Sequence, residues 1–259
     1  MDRQTTHAEL APDLRISRVI TGLWQVADME RDRQSLDLDH AARSMSAYAQ
    51  AGLTTFDMAD HYGSAELIAG IFTKKYADGD DVKILTKWVP EPGGSSRETV
   101  RQAVQRALDR LQTDRVELLQ YHAWNYADPS YLDDLLYLQE LQDEGLIRQL
   151  GLTNFDTAHL RIVLETGINV VSNQICFSLL DQRAMNDMTT FCEEHNIKIL
   201  AFGTLAGGFL TERWLGQPEP GMEALSTWSQ MKYKRYIDEA GGWAPFQNLL
   251  KALRQTADE

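Results

Sequence analysis

Four side chains of this sequence are of the types that deliver a proton to a polarised oxygen: Asp57, Tyr62, Lys87 and His122. Each stands at or just past the end of a short apolar run. Leu53-Thr54-Thr55-Phe56 leads into Asp57, Tyr62 follows before Gly63, and Lys87 and His122 close two later runs. In a parallel α/β protein the carboxyl ends of the strands surround the ligand site, so the four groups are expected to converge. A phenol of pKa about 10 is a poor acid at neutral pH, and a neighbouring ammonium improves it by favouring the phenolate. Asp57 would anchor Lys87, and His122 would orient a substrate oxygen or help pass the proton. Such a set protonates a carbonyl oxygen while a hydride reaches the carbon. Side chains do not give hydride, so this chemistry implies a nicotinamide cofactor.

The elements that must hold these groups recur with a βα rhythm. Apolar runs occur at 16–23, 54–59, 83–88, 116–122, 147–153, 170–177 and 197–202, and from the second onward their starts are 23 to 33 residues apart. Helical patterns fill the gaps. Ser95 stands three residues before Glu98 in a capping-box arrangement, and Val100, Val104, Leu108 and Leu111 follow at helical spacing. Leu132, Leu135, Leu136, Leu138 and Leu141 repeat the pattern before Gly145. Alternating strands and helices imply a parallel sheet, and this many units point to a (β/α)8 TIM barrel. Seven strands are countable, so the expected barrel lacks its eighth strand and helix. Residues 1–14 read as a flexible lead-in, 15–259 as a single barrel domain, and 211–242 as a loop or lid excursion.

Beyond the tetrad, the motifs resemble those of the aldo-keto reductases. Phe56-Asp57-Met58-Ala59-Asp60-His61-Tyr62-Gly63 is similar to that family's Phe-Asp-Thr-Ala-x-x-Tyr-Gly signature. Thr86-Lys87-Trp88 resembles its lysine strand and Leu118-Leu119-Gln120-Tyr121-His122 its histidine strand. Gly151-Leu152-Thr153-Asn154-Phe155 and Ser172-Asn173-Gln174 resemble two further motifs, and the match holds its order from about Ser17 to Leu210. The resemblance implies NADPH-dependent reduction of an aldehyde or ketone, with Tyr62 as general acid. It also implies that Thr153, Asn154 and Gln174 hold the nicotinamide carboxamide, that Phe202 stacks on the ring, and that Gly22-Leu23-Trp24 forms a turn beside the cofactor. Where the family has Ser-Pro-Leu against the pyrophosphate, this chain has Gly203-Thr204-Leu205, leaving backbone contacts at Gly203 and Leu205. The family's basic residues for the 2′-phosphate have no counterpart before Glu259, so NADP is the expected cofactor with NAD left open.

Composition narrows the partners. Lys plus Arg number 25 against 38 Asp plus Glu, a net charge of −13, which argues against nucleic acid or an anionic membrane surface. The partner expected is a small carbonyl compound; the oligomeric state is unspecified. Two cysteines and no apolar leader suggest a soluble cytoplasmic protein. Trp24, Trp88 and Trp124 all follow strand ends and are expected to wall an apolar substrate pocket. No metal is expected, although Asp57, Asp60 and His61 suggest a metal-dependent hydrolase as a minor reading. The main alternative is a C-terminally truncated aldo-keto reductase-like protein with little or no catalysis, acting as a binding or regulatory protein.

Overall fold

The computed structural model describes residues 6–31, 35–77 and 81–259. Nine strands are described. The first two, β1 (His7–Ala11) and β2 (Leu14–Ser17), form an antiparallel hairpin. Residues 7–14, expected within a flexible lead-in, therefore belong largely to paired structure, with Leu10, Ala11 and Leu14 buried; residues 1–5 lie outside the described residues. The remaining seven strands make one sheet in sequence order: β3 (Thr21–Gly22), β4 (Thr55–Asp57), β5 (Lys83–Trp88), β6 (Val116–Tyr121), β7 (Ile147–Thr153), β8 (Ser172–Cys176) and β9 (Lys198–Phe202). The pairs from β3 to β8 are parallel. The apolar run 16–23 is divided between β2 and the two residues of β3, so only its end joins this sheet. Among the described residues no strand follows β9.

In the central strands β4 to β8 both faces are largely buried, as parallel strands flanked by helices require, while β3 and β9 are partly exposed. In β5, Thr86 turns one way, donating to Glu66 at 2.6 Å, while Lys87 turns the other way to Asp57. In β6, Tyr121 donates to Asp134 at 2.8 Å and Gln120 faces Asp57. This alternation separates a helix-facing layer from the layer that carries the ionisable groups.

The helices are α1 (Trp24–Arg31), α2 (Leu38–Gln50), α3 (Ala65–Lys75), α4 (Arg97–Leu111), α5 (Tyr131–Asp143), α6 (Thr157–Glu165), α7 (Asp187–Glu194), α8 (Trp228–Glu239) and α9 (Trp243–Asp258). Helix α4 buries Val100, Val104, Leu108 and Leu111 as its spacing predicts. Its N-cap is Ser96, which accepts from the Thr99 amide at 3.1 Å, one residue later than the Ser95–Glu98 pattern suggested. Glu98 instead accepts from Gln102 one turn on.

Two compact units make up the chain: Met1–Gln174 with Phe191–Ile199, and Ile175–Thr190 with Leu200–Glu259. The second has its own apolar core of Ala206, Phe209, Leu210, Leu225, Tyr233, Ile237, Phe246 and Leu250. Much of the stretch expected to be a loop or lid is ordered within this unit. It contains short 3₁₀ turns at Glu212–Trp214 and Met222–Ala224, and the whole of α8. Among the described residues no helix is long and apolar enough to cross a membrane.

Candidate active site

Asp57 ends β4 and is the hub of the first unit's polar cluster. Its Oδ2 accepts from Lys87 Nζ at 2.5 Å, and its Oδ1 from Gln120 Nε2 at 2.8 Å and Gln174 Nε2 at 2.9 Å. Gln174 Nε2 also reaches Gln120 Oε1 at 3.1 Å. Lys87 is 1% exposed and places a second proton on the Met58 carbonyl at 2.9 Å. A buried ion pair of this kind is tenable only when its remaining polar valences are met, and here amides meet them.

Tyr62 sits above this pair. The Lys87 ammonium lies 5.2 Å from the centre of the phenol ring. On the other sides, the rings of Trp24 and His61 each meet Tyr62 edge-on, with centres 4.9 and 4.8 Å away. His61 is held through Nδ1 by Asp60 Oδ1 at 3.1 Å, and its ring centre is 6.3 Å from that of His122. Trp124 stands 4.8 Å from His122. All four members of the expected tetrad thus fall in one cluster, and the three rings of Trp24, His61 and Trp124 border it.

His122 is buried, and burial pulls its pKa down to about 4, assisted by the Lys87 ammonium and by His61. It is therefore a neutral imidazole at pH 7. Its Nε2 is 3.5 Å from Asn154 Nδ2, and its buried Nδ1 has no hydrogen-bond partner among the described residues.

The expected cofactor residues fall into two sets. In the first unit, Gly22 ends β3 with open space where a side chain would stand, Leu23 donates its amide to the Asp57 carbonyl at 2.9 Å, and Trp24 opens α1. Thr153 closes β7, and its buried hydroxyl has no hydrogen-bond partner among the described residues. Asn154 takes a left-handed conformation, φ 61°, and its amide donates to the Gln174 carbonyl at 2.8 Å. The Gln174 side-chain NH2 is committed to Asp57 and Gln120. An orphan hydroxyl at Thr153 and the open position at Gly22 fit a polar, planar ligand in this unit.

In the second unit, the Lys232 ammonium lies 4.8 Å from the centre of the Phe202 ring. Gly203 has φ 71°, and a Cβ there would run into the Tyr233 hydroxyl. Leu205 is exposed. The Gly207-Gly208 bend is packed by α8 at Gly207: an added Cβ would meet Tyr233 Cδ2 at 3.0 Å and the Ser229 carbonyl at 3.1 Å.

One expectation fails on strand geometry. Trp88 does not join Trp24 and Trp124. It is 5% exposed and packs against Tyr121 at 5.8 Å, because the residue after an inward Lys87 must face the helices. The metal reading also finds no support. Asp57 is occupied by Lys87 and two amides, and among the described residues no group of three or more His, Cys, Asp or Glu is placed to hold an ion. Conversely, Gln120 was not singled out by the sequence reading. Its signal was a fully buried amide in an otherwise apolar strand core.

Comparison with known proteins decides the family. The model described as the Aldo/keto reductase family matches residues 18–259. The chain belongs to the aldo-keto reductase family. An NADH-specific methylglyoxal reductase of Escherichia coli (strain K12) is 27% identical over 257 residues, covering 90% of this chain and 78% of that protein. An uncharacterised oxidoreductase of Mycobacterium tuberculosis (strain ATCC 25618 / H37Rv) is 30% identical over 214 residues, covering 80% of this chain and 64% of the relative. Among solved structures, the holo form of an aldo-keto reductase from Bacillus halodurans matches with a TM-score of 0.68 at 26% identity, covering 89% of this chain and 76% of that one. The chain thus spans less than two thirds of the mycobacterial relative's length. The α/β fold with its seven-stranded sheet is that of the aldo-keto reductases, an oxidoreductase family.

Proposed function

We propose that this aldo-keto reductase reduces an aldehyde or ketone to an alcohol with NADPH, NADH being the second candidate, and that Tyr62 gives the proton. The observation that carries the reading is the buried Lys87–Asp57 pair beneath the Tyr62 ring. When bound, the nicotinamide supplies the hydride that no side chain can. Tyr62 Oη passes its proton to the carbonyl oxygen as the carbon receives the hydride, and the tyrosinate is then reprotonated from solvent. The Lys87 cation stabilises the negative charge left on that oxygen, and Asp57 fixes the cation's position. His122, neutral at pH 7, orients the carbonyl oxygen by hydrogen bonding without adding charge. Thr153, with its unpartnered hydroxyl, and Asn154 are assigned to the carboxamide, together with whatever Gln174 retains beyond its bonds to Asp57 and Gln120. Gly22, Leu23 and Trp24 border the same position. The family resemblance assigns ring stacking to Phe202 and backbone contacts to Gly203 and Leu205. Trp24 and Trp124 form the apolar wall for the substrate.

Tyr62→Phe tests the assignment. Turnover of methylglyoxal and of a panel of aldehydes should fall by about 10²-fold or more, while NADPH titrated by fluorescence binds as in the wild type. Unchanged turnover in Tyr62→Phe would refute Tyr62 as proton donor. A wild-type chain that binds neither NADPH nor NADH would refute the reductase reading and leave the non-catalytic alternative.

A further inference from the structure

The turn that presents Tyr62 is held from outside the tetrad. Between Asp57 and the start of α3, the backbone is pinned by Met58 to the Leu85 carbonyl and by Asp60 to the Lys87 carbonyl, both at 2.9 Å. These bonds fix the near side of the turn. The far side is Gly63-Ser64, where α3 begins. Ser64 stands at its N-cap with φ −89° and ψ 11° and makes no side-chain cap. That leaves the first amides of α3 in need of an acceptor.

The acceptor is Glu30, from α1. Its two carboxylate oxygens lie 3.1 and 3.3 Å from the Ser64 amide, and Ser64 Oγ also donates to Oε1. A carboxylate at a helix N-terminus is favoured by the exposed amides and the helix dipole. The contact is close enough that a methyl group at Gly63, which has φ 54°, would displace the carboxylate. Helix α1 carries Trp24 at its other end, edge-on to Tyr62, and the preceding Leu23 is tied to the Asp57 carbonyl. One short helix thus touches both ends of the Tyr62 turn, by a backbone bond at its start and a carboxylate at its end. None of its described side chains is buried.

We infer that Glu30 is a positioning residue for Tyr62: acting through Ser64, it sets the turn that aims the phenol and seats Trp24 against it. The inference rests on Tyr62 as proton donor for its kinetic consequence, and on the α1–α3 contact alone for its structural one.

The test uses Glu30→Ala, Glu30→Gln and Ser64→Ala in the full chain. Misplacing the phenol by a fraction of an ångström should lower kcat about tenfold in Glu30→Ala, a larger factor than any change in the Kd of NADPH. Glu30→Gln, which keeps one acceptor oxygen, should recover much of the loss, and Ser64→Ala should fall between. A second readout does not depend on turnover. Acrylamide quenching of Trp24, taken as the difference from the same protein carrying Trp24→Phe, should increase in Glu30→Ala and return toward wild type in Glu30→Gln. Unchanged Trp24 quenching in Glu30→Ala would overturn the inference, as would a kcat equal to wild type or a loss that Glu30→Gln does not relieve. Should Glu30→Ala not fold, Ser64→Ala decides by the same two readouts. A wild type without turnover would remove the proton-donor reading and leave the quenching result to judge the positioning.

Discussion

His122 makes an acid-sensitivity prediction that can be worked from its surroundings. Burial depresses its pKa most, the Lys87 ammonium next and His61 after that, with Asp60 opposing, and the result is a fall from 6.5 to about 4. Between these values an unfolded chain binds a proton on this imidazole and the native chain does not. Stability from the neutral ring is therefore fully present above pH 6.5 and is lost as pH falls toward 4. At about 1.4 kcal/mol per pH unit the whole window is worth about 3 kcal/mol. Urea unfolding of the wild type and of His122→Gln at pH 7.5 and 4.5 isolates this share, since every other group is common to both. The wild type should lose about 2 to 3 kcal/mol more than the variant over that interval. The His122 titration followed by NMR should have its midpoint near 4, and Lys87→Met should move it upward. Equal acid losses in the two proteins would refute the burial argument.

Of the three tryptophans assigned to one pocket by sequence, Trp88 and Trp124 should separate cleanly in experiment. Trp88→Ala empties the layer between sheet and helices and should cost about 3 to 5 kcal/mol, whereas Trp124→Ala, at a position 70% exposed, should change stability by less than about 0.5 kcal/mol while raising KM for apolar carbonyls. Thermal unfolding and steady-state kinetics on the pair check both. In the second unit, Gly203→Ala would need φ 71° and would press on the Tyr233 hydroxyl; it should destabilise by about 1 to 3 kcal/mol, read as a lowered urea midpoint, and no loss would mean that α8 is not packed there.

Strand positions were legible where burial leaves mainly apolar and β-branched residues. The runs 83–88 and 147–153 coincide with β5 and β7, and the tetrad was legible because its members sit at the ends of such runs. Strand β1 was not, since His7, Ala8 and Glu9 are polar or small and only Leu10 and Ala11 of its residues are buried. Trp88 was readable in principle: once Lys87 faces inward, alternation sends its neighbour outward, and the strand-end position alone was a poorer guide. Gln120 and Glu30 depend on convergence that spacing does not encode. Gln120 meets a carboxylate 63 positions away and Glu30 a turn 34 positions away, and only the folded backbone makes either pair neighbours.

The amide network around Asp57 explains why a reductase site would keep a buried ion pair at all. Removing a carboxylate and an ammonium from water costs several kcal/mol per ion, and hydrophobic replacement of such pairs is often neutral or stabilising. Stability alone therefore gives little reason for Lys87 and Asp57. What the pair does give is a cation that cannot reorient. Lys87 has two acceptors in place, Asp57 and the Met58 carbonyl, and Asp57 in turn is held by amides from β6 and β8. A fixed charge stabilises a developing phenolate without the reorganisation that water would require. The same constraint binds Gln174, whose NH2 is spent inside the network. On the proposed reading its contribution to a nicotinamide carboxamide would come through its remaining oxygen, beside the Thr153 hydroxyl, which has no partner among the described residues, and Asn154, which also meets His122.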